Sequence, residues 1–323
     1  MYIHKIILFI FSTIFFDLCF AKNPQLYLFL GWDAAKDHIE ELNNPEVKGV
    51  QIIYSWKKLE PDENKYDFSA IEGDYQVLKG YDKKLFIQLQ DRSFDTNNIP
   101  VPKYLQSNKY DGGIVEQKYF AREGYPIRVG WVTKQWNPNV KDRFHKLIEQ
   151  LAKEFDGKIA GVNLPETAID INQKFFNHKF CNIYVNTIID NMLFLKQQFK
   201  KSKVIQYVNF LTCEWNNDHG YMQKIFTAAR KNNIGLGNPN TVPYRKSQMK
   251  NSYRFFNKYK SSLNTIAIAV QESDYTYTNP KTLKKFTPEQ LYDFDKDYLG
   301  ADIIFWNIKQ PEFEIVLKLF ANK

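Results

Sequence analysis

The chain has 323 residues, a net charge of +8 and an apolar fraction of 44%, enough for one large domain with a sizeable core. Its basic residues are spread along the chain, with Lys200, Lys201 and Lys203 the densest group. That spread, together with the absence of zinc-finger spacing or a basic amphipathic array, excludes the usual nucleic-acid-binding classes. Aromatic residues make up 16%; most are expected to fill the core, and a few to form stacking platforms.

The N-terminus reads as a secretory signal. Lys5 gives the positive start, Ile6 to Phe16 an apolar run, and Cys19-Phe20-Ala21 a small-x-small cleavage site. The run is shorter than the ~20 apolar residues needed to span a bilayer. Residues 1–21 are therefore expected to be removed, leaving residues 22–323 as one secreted or periplasmic domain with no membrane insertion. Lys5 and Asp17 leave together, so the mature charge is unchanged. Cys181 and Cys213 then remain; an exported chain permits a bridge, but a chain this long needs no staple, and two separate buried thiols are the slightly preferred expectation.

Short β-branched or aromatic runs alternate with helical stretches in chain order. The strand candidates are Leu26–Trp32, Gly49–Tyr54, Lys84–Gln90, Ile159–Leu164, Val204–Phe210, Ile234–Gly237, Thr265–Gln271 and Asp302–Trp306. Several are continuously apolar, as strands covered on both faces must be. Between them, Asn137-Pro138 opens a helix over Val140–Phe155 with Phe144, Leu147, Ile148 and Leu151 on one face, and Thr287-Pro288-Glu289-Gln290 has the form of a capping box with Pro at the first helical position. Eight strand–helix units predict an α/β fold, a single (β/α)8 TIM barrel. No Gly-rich loop follows any strand, which counts against an open dinucleotide-binding sheet. One segment, Asp91 to Gln135, separates the third strand from its helix by far more than the usual ~2–6 residues. Carrying Pro100, Pro102, Tyr104, Tyr110 and Trp131, it is expected to wall a substrate cleft.

Barrel enzymes place reactive groups at the C-terminal ends of strands. Glu166 follows the fourth strand and Glu272 the seventh, with Asp274 as a rival close by. Two carboxyl groups at one barrel mouth meet the needs of glycosidic bond hydrolysis: one protonates the departing oxygen, and the other attacks the sugar or activates water. Further binding candidates are Trp32, Asp91 and Arg92, Asn209, Trp215, Asn238 and Tyr244. The histidines His38, His145, His178 and His219 form no pair at metal spacing, so neither a metal nor a cofactor is expected, and no G-x-S-x-G elbow is present.

The stretch Trp56-Lys57-Lys58-Leu59-Glu60-Pro61 followed by Tyr66-Asp67-Phe68, with the two placed glutamates, resembles the clan of retaining (β/α)8 glycoside hydrolases that includes cellulases, β-galactosidases and β-mannanases. The resemblance implies Glu166 as general acid/base, Glu272 as nucleophile, and Trp306 at the end of strand eight as the aromatic platform beside the scission point. Asn163 stands near the place of a residue that contacts the sugar 2-hydroxyl, although here the order is Asn163-Leu164-Pro165-Glu166 rather than Asn directly before Glu. The expectation is thus a retaining O-glycosidase, a monomer acting on an extracytoplasmic poly- or oligosaccharide. The alternative is a catalytically silent barrel that binds carbohydrate or a cell-surface partner.

Overall fold

The computed structural model describes residues 23–119, 127–172, 177–309 and 312–322. The signal-peptide reading of residues 1–21 lies outside these residues, as does a short part of the long segment after the third strand.

Eight parallel strands close into a barrel in the order β1-β11-β10-β9-β8-β7-β3-β2. They are β1 (Gln25–Gly31), β2 (Val47–Ser55), β3 (Lys84–Gln90), β7 (Gly161–Leu164), β8 (Lys203–Tyr207), β9 (Gly235–Asn238), β10 (Ile266–Val270) and β11 (Ile303–Asn307). All eight sequence candidates are therefore strands. β4 (Arg92–Ser93), β5 (Ile114–Tyr119) and β6 (Ile127–Thr133) lie in the long segment and form a separate antiparallel sheet.

Around the barrel run α1 (Ile39–Leu42), α2 (Trp56–Leu59), α3 (Ser69–Gly80), α4 (Pro138–Phe155), α5 (His178–Gln198), α6 (Tyr221–Lys231), α7 (Lys246–Lys250), α8 (Ser252–Tyr259), α9 (Pro288–Asp293) and α10 (Phe313–Ala321). The start signals act as read. The Asn137 side chain accepts from the backbone N–H groups of Asn139 and Val140, and Thr287 and Gln290 form a reciprocal capping box. Phe144, Leu147, Ile148 and Leu151 are all buried on α4.

Side-chain alternation along the strands divides the core in two. One cluster, comprising Tyr27, Phe86, Ile205, Tyr207, Ala267, Ala269, Ile303 and Phe305, fills the barrel interior. The residues between them, such as Ile268, Val270, Ile304 and Trp306, belong to a larger cluster between barrel and helices. The interior holds large rings because glycine stands opposite them. A Cβ on Gly161 would come within 2.4 Å of the Phe86 ring, and one on Gly237 within 2.8 Å of Tyr207. Buried Gln51 donates to the Tyr207 hydroxyl at 3.0 Å, which gives both of these interior groups a partner.

Cys181 and Cys213 are joined, with Cα atoms 5.9 Å apart. This corrects the expectation of two separate thiols. That expectation weighed only the stability a long chain requires, whereas the pairing follows from position. Cys181 sits in the first turn of α5, and Cys213, at φ 72°, turns the loop after β8 back toward it. A bridge spanning 32 residues should stabilise the fold by about 3–4 kcal/mol through the unfolded chain. Reduction is expected to lower the melting temperature measurably, with Cys181→Ser/Cys213→Ser matching the reduced protein. An unchanged melting curve in dithiothreitol would show that the loop closure contributes nothing.

Candidate active site

A cleft of about 400 Å³ opens at the C-terminal ends of the strands, the face on which barrel enzymes build their sites. Its floor is made by strand-end residues such as Phe29, Gln88, Gln90 and Tyr207. The first residues of the long segment, Arg92 to Asp95 with Asn98, make one wall. The segment is thus a cleft wall at its start, while Pro100, Tyr104 and Tyr110 do not line this cleft.

Glu166 occupies the loop directly after β7, with one edge open to the cleft and the rest enclosed by protein. Its position is held by several hydrogen bonds. Asn209 Nδ2 donates to Glu166 Oε2. Arg92 Nη1 donates to the main-chain oxygens of Glu166 and Ala168 at 2.6 and 2.9 Å. The Tyr184 hydroxyl donates to Thr167 O at 2.7 Å. Arg92 is itself fixed by Asp91, Nε to Oδ1 at 3.3 Å. Asp91 Oδ2 in turn accepts from Gln135, whose Oε1 accepts from Asn191, which pairs with His145. Burial pushes the Glu166 carboxyl up from its ordinary pKa, and the charge of Arg92 and the bond from Asn209 only partly offset this. A carboxyl whose pKa is raised beside a cleft is suited to deliver a proton to a departing oxygen.

The structure brings Trp32, Arg92 and Glu166 onto the cleft wall, with Asp91 and Asn209 directly behind them. Trp32 is 51% exposed, and Phe94 beside it on the same cleft is 61% exposed, so both present faces on which a sugar ring can stack.

The other candidates go elsewhere. Trp306 is fully buried, its Nε1 donating to the Tyr275 hydroxyl at 2.9 Å and its ring edge-on to Phe320. This corrects the expected platform: Phe305 takes the inward position of β11, so Trp306 must face the helices. Glu272 is exposed at the start of a short 3-10 turn, and its neighbour Gln271 lines the cleft instead. Asp274 is buried and accepts from the backbone N–H groups of Gln271 and Thr241 and from Asn240, a loop-fixing role. Asn163 is buried and donates to Leu164 O without lining the cleft, and Asn238 is buried and donates to Val208 O and Ser252 Oγ. Trp215 is exposed on the turn after β8 and does not line the cleft. Tyr244, at φ 64°, lines a separate surface hollow with Lys281 over its ring.

Sequence reasoning missed Phe94, Asp95 and Gln271. Only Gln271 carried a signal, since Ala267, Ala269 and Gln271 share one face of a period-2 strand. Among the described residues no grouping of three or more His, Cys, Asp or Glu could hold a metal ion, and no helix is long and apolar enough to cross a membrane.

Neither a family model nor a curated relative matches the sequence. Solved structures do match by fold. The catalytic domain of β-amylase from Paenibacillus polymyxa superposes with a TM-score of 0.50 at 10% identity, over 88% of this chain and 92% of that one. The β-galactosidase from Rahnella sp. R3 gives 0.57 at 12% identity over 94% of this chain, which spans 56% of the length of that enzyme. Endo-glycoceramidase II from Rhodococcus sp. gives 0.53 at 9% identity, over 90% and 74%. The likeness is one of fold: this chain has the (β/α)8 barrel of these glycoside hydrolases.

Proposed function

We propose that this protein is an O-glycoside hydrolase acting outside the cytoplasm, with Glu166 as the general acid. The observation that carries the reading is the Glu166 carboxyl, enclosed so that burial raises its pKa and open on one edge to a cleft lined by Trp32 and Phe94. The fold shared with β-amylase and β-galactosidase supports it. The disulfide and the N-terminal signal reading support an exported chain.

Hydrolysis needs a second carboxylate. The cleft wall offers Asp95, which lines the cleft from the start of the long segment. With Asp95 as the base that activates water, the reaction inverts the anomeric carbon, which requires carboxyl groups ~6.5–9.5 Å apart. As a second reading we keep Glu272, exposed on the turn one residue beyond cleft-lining Gln271, as a nucleophile that would give retention.

The anomer of the first-formed product, read by proton NMR during hydrolysis of an oligosaccharide from a broad glycan panel, separates the two. An inverted product with loss of activity in Asp95→Asn assigns Asp95. A retained product with loss in Glu272→Gln assigns Glu272. Full activity in both variants removes both residues. Binding without cleavage across the panel would leave the silent carbohydrate-binding barrel as the function.

A further inference from the structure

The cleft does not end at Trp32. A second hollow of about 420 Å³ adjoins it, sharing Trp32 and Asn98 and continuing over Ser55 to Lys57 and Lys58. Both lysines are exposed, on the short helix α2 that directly follows β2. Some lysines on this surface are engaged by acids, as with Lys309 and Asp33 at 3.0 Å or Lys109 and Glu63 at 3.2 Å. Lys57 and Lys58 have no carboxylate within ion-pair distance among the described residues. Asp33, the acid next to Trp32 in sequence, already pairs with Lys309 and His38. The backbone fixes the site: Lys57 N donates to Pro100 O at 2.9 Å, and Lys58 N to Ser55 Oγ at 3.4 Å.

A saccharide held at Glu166 and stacked on Trp32 is directed along this hollow toward two uncompensated ammonium groups. We propose that the hollow is a subsite for an anionic sugar, so that the substrate is an acidic glycan carrying a carboxylate or sulfate beyond the point of scission. The inference rests on the glycosidase reading for the role of Glu166, but its binding claim stands apart from it. An ammonium group that displaces no internal ion pair on binding an anion gains the full attraction of the new contact, and such attraction weakens as salt rises.

The test uses the full mature chain as Glu166→Gln, so that nothing is turned over, and measures binding by calorimetry. The probes are hexameric oligogalacturonate for carboxylate, a heparin-derived hexasaccharide for sulfate, and cellohexaose as the neutral control. The expected result is at least tenfold tighter binding of one acidic probe than of cellohexaose, falling with salt. Lys57→Gln/Lys58→Gln should abolish that preference and leave cellohexaose binding unchanged. Lys200→Gln/Lys201→Gln removes the same charge away from the cleft and should retain the preference. Equal binding of acidic and neutral probes, or an acidic preference that survives Lys57→Gln/Lys58→Gln, overturns the proposal. Loss in both double variants alike would assign the preference to overall charge and overturn it as well. Cleavage of neutral glycans by the wild type with no acidic preference would sink this inference and keep the hydrolase; acidic binding without cleavage of any glycan would do the reverse.

Discussion

Glu166→Gln should reduce turnover by about 10²–10⁴-fold, the span over which a positioned proton donor accelerates such reactions, while leaving the fold intact. The amide keeps the acceptor that Asn209 bonds and the main-chain contacts from Arg92, since those reach the backbone oxygen rather than the carboxyl. Stability offers an independent reading. Burial raises the Glu166 pKa in the folded chain, so its contribution is fully present below the unfolded pKa and is lost as pH rises through the folded one. At neutral pH the neutral glutamine should therefore melt at the same temperature as the wild type or higher. The same shift fixes the sign of the activity profile. A general acid works protonated, so kcat/KM should fall on the alkaline side through the raised Glu166 pKa. Asn209→Asp keeps the Oδ1 acceptor that binds Phe210 N and Ala168 N but sets a like charge against Glu166, and should move that limb to higher pH. A limb unmoved in Asn209→Asp would show that another group sets it. An active Glu166→Gln enzyme would remove Glu166 from the chemistry altogether.

How much of this was legible in the sequence depends on which signal carried it. The eight strands were, because most carry a run of apolar or β-branched residues whose burial leaves a trace in the sequence; Lys84–Gln90 agrees residue for residue. Glu166 was legible for the same reason, as a lone acid directly beyond an apolar strand. The errors at Trp306 and Gln271 share one cause. Strand side chains alternate, and a frame displaced by one residue sends a side chain to the opposite face. The interior pair Ala267 and Ala269 sets the frame for β10 and places Gln271, not Glu272, toward the cleft; Phe305 does the same for β11 and turns Trp306 outward. Asp95 and Phe94 lie in a loop with no periodicity, and nothing short of the fold brings them to Glu166. The Cys181–Cys213 bridge joins a helix start to a loop through a left-handed backbone turn, which spacing alone does not encode.

The stretch Trp56 to Pro61 was legible as a motif, but the structure gives its physical reason. Glu60 is fully buried, and every polar atom of its carboxylate is met. Trp56 Nε1 donates to Oε2 at 2.9 Å, Asn64 N to Oε1 at 3.1 Å, and Arg143 Nη2 forms an ion pair with Oε1. Arg143 reaches from α4 and also donates to Asn64 Oδ1 at 2.8 Å and to the Tyr104 hydroxyl at 3.1 Å. One buried pair therefore ties the loop after β2, the helix after β6 and the long segment whose first residues wall the cleft. Removing one partner strands the other charge in the interior, which typically costs about 3–5 kcal/mol. Glu60→Ala and Arg143→Ala should each lower the melting temperature on the order of 10 °C. Because both act through the same contact, the double variant Glu60→Ala/Arg143→Ala should fall well short of the sum of the two losses. Additive losses would mean that the groups act separately, and losses below about 1 kcal/mol, the range of exposed pairs, would mean that water reaches the pair. A buried pair is a poor source of net stability compared with apolar packing. Its place here is better explained by geometry: it fixes three chain segments in one arrangement, and the wall that carries Arg92 and Asp95 depends on that arrangement.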